Sequence, residues 1–370
     1  MEWVTPPPLA SGDRVAVVAP SSGAAREAPH VLDRALDRLR ETFGLEPVVF
    51  PTARQSTEFL ASSPRARAAD LHAAFRDPEI RGIFATIGGW EQLRVLRYFG
   101  PSVAREHPTR FFGMSDNTNL NLALWNAGVV SYNGAQLMNE LGVSGSFPAY
   151  TERFCRRAFF EDSLGELDAS DRWTDDTTGF WADPSLAEAE PESQDNEGWR
   201  WRGGSDAVSG RLWGGCRSIV EWYLAVDRYL PDHERLDGAV LGLEMAETLP
   251  TADEVGATLV CLGERGLLER FDAVLVGRVP GRSHLENPPP EERAAYRERV
   301  RETVAEWVGR YNPDAPVVLG LDWGHTNPVA PLPVGAPVSV DPGEESIVFE
   351  GGWVTDVRRS VWRAPSNGSS

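Results

Sequence analysis

Two periodicities of apolar residues take turns along the first 160 residues. "RVAVVA" (14–19) is a short apolar run closed by Pro-Ser-Ser-Gly, the pattern of a buried strand ending in a turn. Over 31–44, Val31, Leu32, Ala35, Leu36 and Leu39 recur at helical spacing, and Gly44 ends the run. "EPVVF" then reads as a strand, 63–80 as a second amphipathic helix, and "RGIFATIGG" (81–89) as a strand ending in two glycines. "TRFFGMS" and "NLNLALWNAG" repeat strand and helix. Alternation at this spacing predicts a parallel α/β sheet. Such sheets place their sites at the carboxyl ends of strands. The ends "APSSG", "TIGGW" and "GMSDN" are therefore expected on one rim.

The pattern changes over 161–206. This segment is acidic and poor in aliphatics, yet carries Trp173, Trp181, Trp199 and Trp201. A disordered linker avoids aromatics, so a loop that folds over a ligand competes with the plain linker reading. Beyond it, "AVLGLEMAE", "FDAVLVGRVPG", "APVVLGLDWGHT" and "APVSVDPGEESIVFEGG" read as strands. "TADEVGATLVCLGERGLL" and "PEERAAYRERVRETVAEWVGRY" read as helices, and "RAPSNGSS" as a frayed end. The expected organisation is an α/β domain over 1–160, a Trp-rich connecting or substrate loop over 161–206, and a smaller α/β or β-barrel-like domain over 207–365.

Composition narrows the chemistry. Asp and Glu total 55 against 36 basic residues, a formal charge of −19, which disfavours nucleic acid or an anionic membrane as partner. Every basic residue is arginine, so lysine chemistry is excluded: no phosphate-loop lysine, no Schiff base, no Ser-Lys dyad. Cys155, Cys216 and Cys261 are scattered without a Cys-x-x-Cys pair, so neither a zinc site nor a redox motif is supported. Few cysteines, an N-terminus unlike a signal peptide and no apolar run of about 18 to 20 residues point to the cytoplasm.

A strand ending in Gly-Met-Ser-Asp and turning at once into a helix exposes one hydroxyl, that of Ser115. A serine nucleophile needs a base, usually histidine. Of the six histidines, His30, His72, His107 and His233 lie on helices or polar turns, and His284 lies in a loop that could line a pocket. His325 follows the buried run "PVVLGLDW" and a glycine, at the mouth of a strand. The acid that orients the imidazole is expected at Glu244, within an apolar run, rather than Glu247. The oxyanion donors are expected to be backbone N–H groups of Asp116 and of Gly89 or Trp90. The order Ser, acid, His is that of α/β-hydrolases, although Asn117 stands where their elbow has its second glycine.

"GDRVAVVAPSSG", "FFGMSDNTNL", "GRLWGG", "LGLEMAE" and "LGLDWGHTNPVAPLPVGAPVSVD", in this order, resemble the LD-carboxypeptidase family of serine peptidases along almost the whole chain. The resemblance implies Ser115, Glu244 and His325 as a catalytic triad. It also implies a flavodoxin- or class I amidotransferase-like N-terminal domain, a homodimer, no metal and no cofactor. One branch trims D-alanine from murein tetrapeptides. The other resembles microcin C self-immunity peptidases, which cleave an aminoacyl–nucleotide amide. "NEGWRWRGG" looks like the loop of the second branch, with Trp173, Trp181, Trp199 and Trp201 as candidates to stack on a base. Cys216 stands where the family has Asn or His, and "AVDRYLP" replaces its usual Gly-Thr turn. The expected substrate is a small peptidyl or aminoacyl-nucleotide amide. The alternatives are a murein tetrapeptide carboxypeptidase and a non-catalytic binding protein on the same fold.

Overall fold

The computed structural model describes residues 2–176, 179–283 and 286–351. The tail "RAPSNGSS" and His284 lie outside the described residues. In chain order the first five strands are β1 (Arg14–Val18), β2 (Glu46–Val49), β3 (Ile80–Ala85), β4 (Arg110–Phe112) and β5 (Ser131–Asn133). Those that follow are β6 (Gly165–Glu166), β7 (Arg172–Trp173), β8 (Gln194–Asp195), β9 (Arg200–Gly203), β10 (Val208–Cys216), β11 (Ala239–Glu244), β12 (Phe271–Gly277), β13 (Pro316–Leu321), β14 (Leu332–Val334), β15 (Pro337–Asp341) and β16 (Ser346–Phe349).

The first sheet runs β14-β5-β4-β3-β1-β2, parallel throughout except for β14. Its strands are apolar on both faces because both are covered. In β1, Val15 and Val17 join the core that holds Val31, Leu32, Ala35, Leu36 and Leu39 of the helix Pro29–Glu41. Ala16 and Val18, pointing the other way, join Ala68, Leu71, Ala74 and Phe75 of the helix Pro64–Arg76. Both helices open with proline in the first turn, where the missing N–H costs nothing. The run 81–89 is a strand only to Ala85; Thr86–Gly89 leave the sheet to form part of the rim.

The second sheet runs β6-β16-β15-β10-β11-β12-β13-β9, with a parallel centre β10-β11-β12-β13. The fold is therefore α/β, with a parallel-strand sheet and a second, mixed sheet. Several contacts join the halves, among them a strand pairing and an indole hydrogen bond. β14, from near the C-terminal end, completes the edge of the first sheet on β5. Trp323, buried, donates its indole N–H to Asn133 Oδ1 of β5 at 3.1 Å.

The described residues of the acidic segment 161–206 are folded. The segment supplies edge strands β6 and β9 to the second sheet, and β7 pairs with β8. Its polar groups find partners on both halves. The Ser170 hydroxyl donates to Asp322 at 2.5 Å, Asp175 accepts from Gly281 N–H and from Arg282 at 2.8 Å each, and Arg34 pairs with Glu188 at 3.0 Å. Its composition resembles a linker, but these long-range bonds offset the cost of ordering it.

Candidate active site

β4 ends at Phe112, and the chain turns through Gly113 and Met114 into a short 3₁₀ turn, Ser115–Asn117, that leads directly into the helix Thr118–Asn126. Ser115 sits at φ +61°, a left-handed conformation that a side-chain-bearing residue adopts only when its surroundings enforce it. Here the enforcing contacts are visible. Asn117 donates to Gln136 Oε1 at 2.7 Å and to the Met114 and Ile87 carbonyls at 3.1 Å each. The Asp116 carboxylate accepts from the Ser21 hydroxyl, from Glu91 N–H at 3.0 Å, Gln92 N–H at 2.9 Å and Asn119 Nδ2 at 2.9 Å. Burial pushes this carboxyl up, and the bonds from Ser21, Gln92 and Glu91 pull it back. The Asp116 side chain thus staples the serine turn to the ends of β1 and β3.

The three rim segments meet around it. The Ser22 hydroxyl donates to the Gly88 carbonyl at 2.7 Å. Gly88 lies directly against the serine: a Cβ there would stand 2.7 Å from Ser115 Cβ and 2.9 Å from its Oγ, so a side chain is excluded. Gly89 faces Ser21 and Ser22 instead, and the Trp90 indole is 77% exposed.

Glu244 ends β11 with its side chain wholly buried. Gly324 makes room for it, since a Cβ at 324 would come within 2.8 Å of Glu244 Cβ. The next residue is His325, and its Nδ1 lies 2.5 Å from Glu244 Oε2, the N–H donating to the carboxylate. The structure therefore brings Glu244 and His325 together. The Ser115 end of the row stays open: His325 Nε2 has no hydrogen bond and lies 3.2 Å from Glu247 Oε2, out of line for one. Ser115 is linked to this pair through the packed backbone. Thr118 Oγ1, three residues on, accepts from Cys216 N–H at 3.0 Å, and Cys216 stands beside Glu244 in register.

Glu140 escaped sequence reading. It lies in the π-helical turn Leu137–Leu141, buried, and accepts one hydrogen bond from the Gln136 backbone N–H while Oε1 has no donor. The signal was available in "AQLMNELGV", a glutamate in an apolar run, the same pattern that singled out Glu244. Burial pushes Glu140 up to about 8. His325 responds in the opposite sense. Burial alone lowers it, but the Glu244 carboxylate, followed by Glu247 and Glu140, outweighs that and holds it at about 9.

His325, Glu247, Glu140 and Met114 line a cavity of about 710 Å³, roofed by 168–174, Phe180 and Trp181. Of the described histidines only His325 lines it; His30 contacts the Phe180 carbonyl from outside and His72 stacks on Phe99. The four tryptophans separate. Trp173 and Trp181 line the cavity, whereas Trp199 donates to Asp322 at 3.2 Å and Trp201 packs on the core from β9. Trp173 is buried, with the Arg278 and Arg297 guanidinium groups 4.9 and 5.0 Å from its ring centre. Among the described residues no three His, Cys, Asp or Glu side chains are placed to hold a metal ion, and no helix is long and apolar enough to cross a membrane.

Comparison with known proteins agrees with this architecture. Over 348 residues, 94% of each chain, the protein is 27% identical to a Bacillus subtilis protein named "Probable murein peptide carboxypeptidase". It is 21% identical over 341 residues to the Escherichia coli microcin C7 self-immunity protein MccF, covering 90% of this chain and 92% of that one. The solved MccF-like protein of Streptococcus pneumoniae, in complex with AMP, superposes with a TM-score of 0.81 at 25% identity over 92% of this chain and 99% of that one. MccF in complex with glutamyl sulfamoyl guanosine superposes at 0.76 and 19% identity, covering 95% and 99%. Residues 15–134 match the LD-carboxypeptidase N-terminal domain and residues 209–340 its C-terminal domain. The chain belongs to the LD-carboxypeptidase family of peptidases.

Proposed function

We propose that this peptidase is a serine hydrolase of small amides, with Ser115 as nucleophile, His325 as general base and then acid, and Glu244 holding the imidazole. The observation that carries the reading is the buried 2.5 Å Glu244–His325 pair opening on the cavity. Ser115 Oγ attacks the carbonyl carbon and its proton passes to His325 Nε2. The oxyanion is held by the N–H of Asp116 and one from the Gly88–Trp90 turn. The C–N bond breaks as His325 returns the proton to the leaving nitrogen, and water then hydrolyses the acyl-enzyme. Glu247 must leave the front of Nε2 for the first proton transfer.

The substrate class we favour is an aminoacyl–nucleotide amide, as in toxin self-immunity. The support is the AMP complex of the Streptococcus relative together with a cavity that offers an indole, Trp181, at its roof. A flat aromatic face accepts any base. Trp173, the other indole on the cavity wall, has two guanidinium groups against its ring. Murein tetrapeptide cleavage is the second reading, favoured by the name of the Bacillus relative. Parallel hydrolysis assays on an aminoacyl-sulfamoyl adenosine and on a murein tetrapeptide decide between them. Preference for the tetrapeptide overturns the first reading, and undiminished turnover by Ser115→Ala overturns both.

A further inference from the structure

The floor of the cavity carries an excess of unsatisfied carboxylate. Three carboxyl groups surround the imidazole: Glu244 on Nδ1, Glu247 beside Nε2 and Glu140 from the π-helical turn. In each, one buried oxygen has no donor: Glu244 Oε1, Glu247 Oε2 and Glu140 Oε1. Even with His325 protonated and Glu140 neutral, a net negative charge remains. Elsewhere on the wall, Asp168 is paired with Arg153, Glu190 accepts from Ser146 and Asp176 accepts from Glu192 N–H. Of the lining arginines, Arg153 is taken by Asp168 and Arg172 by Asp195. Buried acceptors without donors are costly, and a charged acceptor is costlier still. Glu247 and Glu140 line the cavity, so what enters it can supply their missing donors. A cation that brings its own N–H groups fits these acceptors.

We propose that Glu140 and Glu247 form a subsite for a primary ammonium group on the acyl side of the substrate, and so determine which amides are cleaved. The inference rests on the serine-hydrolase reading of the same site. An ammonium seated between the two carboxyl groups favours the ionised form of Glu140, donates to its Oε1 and draws Glu247 away from Nε2. It also places a positive charge beside the imidazole. That charge favours the neutral ring, whose proton leaves to solvent, so a substrate with the right charge also frees the base. An acidic or uncharged acyl group gains neither effect.

The test uses the full chain carrying Ser115→Ala, so that binding is read without turnover. Norleucinamide has only the α-ammonium, Nα-acetyl-lysinamide only the side-chain ammonium, and Nα-acetyl-norleucinamide neither. Calorimetry or NMR titration into the millimolar range is expected to show at least one amine binding tenfold or more tighter than the doubly neutral probe. Which amine it is identifies the source of the ammonium. Adding Glu140→Gln, or separately Glu247→Gln, is expected to cut that ratio at least fivefold and leave the neutral probe unchanged. Glu247 is half exposed, so its variant remains informative where Glu140→Gln disturbs folding. Equal binding of all probes, or a ratio unaltered in the folded variants, overturns the subsite. Neither result touches the nucleophile, which fails only when Ser115→Ala retains turnover.

Discussion

Two carboxyl clusters lie beyond strand ends, one around Asp116 after β4 of the first sheet and one around His325 beyond β11 and β13 of the second, and they are built differently. Around Asp116 the carboxylate has donors from Ser21, Glu91, Gln92 and Asn119. Around His325, Glu244, Glu247 and Glu140 each keep an oxygen without a donor. The first cluster is closed and its bonds fix backbone. The second is open, charged and faces a cavity. Satisfied polar networks rigidify, while unsatisfied ones are retained where a ligand completes them. The contrast separates the part that fixes the Ser115 turn from the part that faces the cavity.

Ser115→Ala gives the largest expected effect on the open side. The rate should fall by about 10⁴-fold or more with the melting temperature nearly unchanged; a small loss of rate would place the nucleophile elsewhere. On the closed side, Asp116→Ala leaves several donors orphaned, at about 1–3 kcal/mol each at most. Thermal unfolding should therefore move down sharply, and activity should fall with the loss of fold. An unchanged melting curve would remove the distinction between the clusters.

The open cluster also predicts pH behaviour. His325 is held at about 9 against an ordinary 6.5, so the ligand-free molecule carries imidazolium near neutrality. kcat/KM should rise with pH through about 9, roughly a hundredfold above its value at pH 7. Between 6.5 and about 9 the folded state holds a proton that the unfolded chain has released, so stability falls as pH rises. Glu140, raised from 4.5 to about 8, has the same sign over 4.5 to 8. Glu140→Gln should flatten that fall in a pH series of unfolding curves. A slope identical to that of the native chain would show Glu140 to be an ordinary carboxylate.

The smallest expected effect divides the tryptophans. Trp181→Ala should weaken binding of an aminoacyl-sulfamoyl adenosine by about 1–3 kcal/mol, read as a higher KM. Trp199→Ala, which removes the bond to Asp322, should shift unfolding and leave KM alone. Equal effects on KM would mean that the roof acts as one unit.

Much of the first sheet was legible. The helix Pro29–Glu41 and strand β1 follow from local periodicity, because a covered parallel strand and a one-faced helix write different apolar repeats. Glu244 stands out in the sequence because a carboxyl group in an apolar run demands a partner. Glu140 carries the same signal and was passed over, since its run leads into a π-helical turn with no strand to frame it. The segment 161–206 misled in composition. Its order comes from partners such as Asp322, Arg282 and Arg34, which are far away in sequence.

The chain by itself determined the side chains on offer: a serine at a strand-to-helix turn, few histidines, no lysine, and glutamates within apolar runs. Those are properties of local pattern and chemical inventory. Only the tertiary structure decided that His325 meets Glu244 on one ring nitrogen and Glu247 on the other side. It also decided that Trp181 faces the cavity while Trp199 and Trp201 do not. The physical reason is that these meetings depend on β14 and Trp323 docking the C-terminal loops onto β5, contacts between segments nearly two hundred residues apart. Charge and burial at the site, and hence the state of its imidazole, follow from that docking.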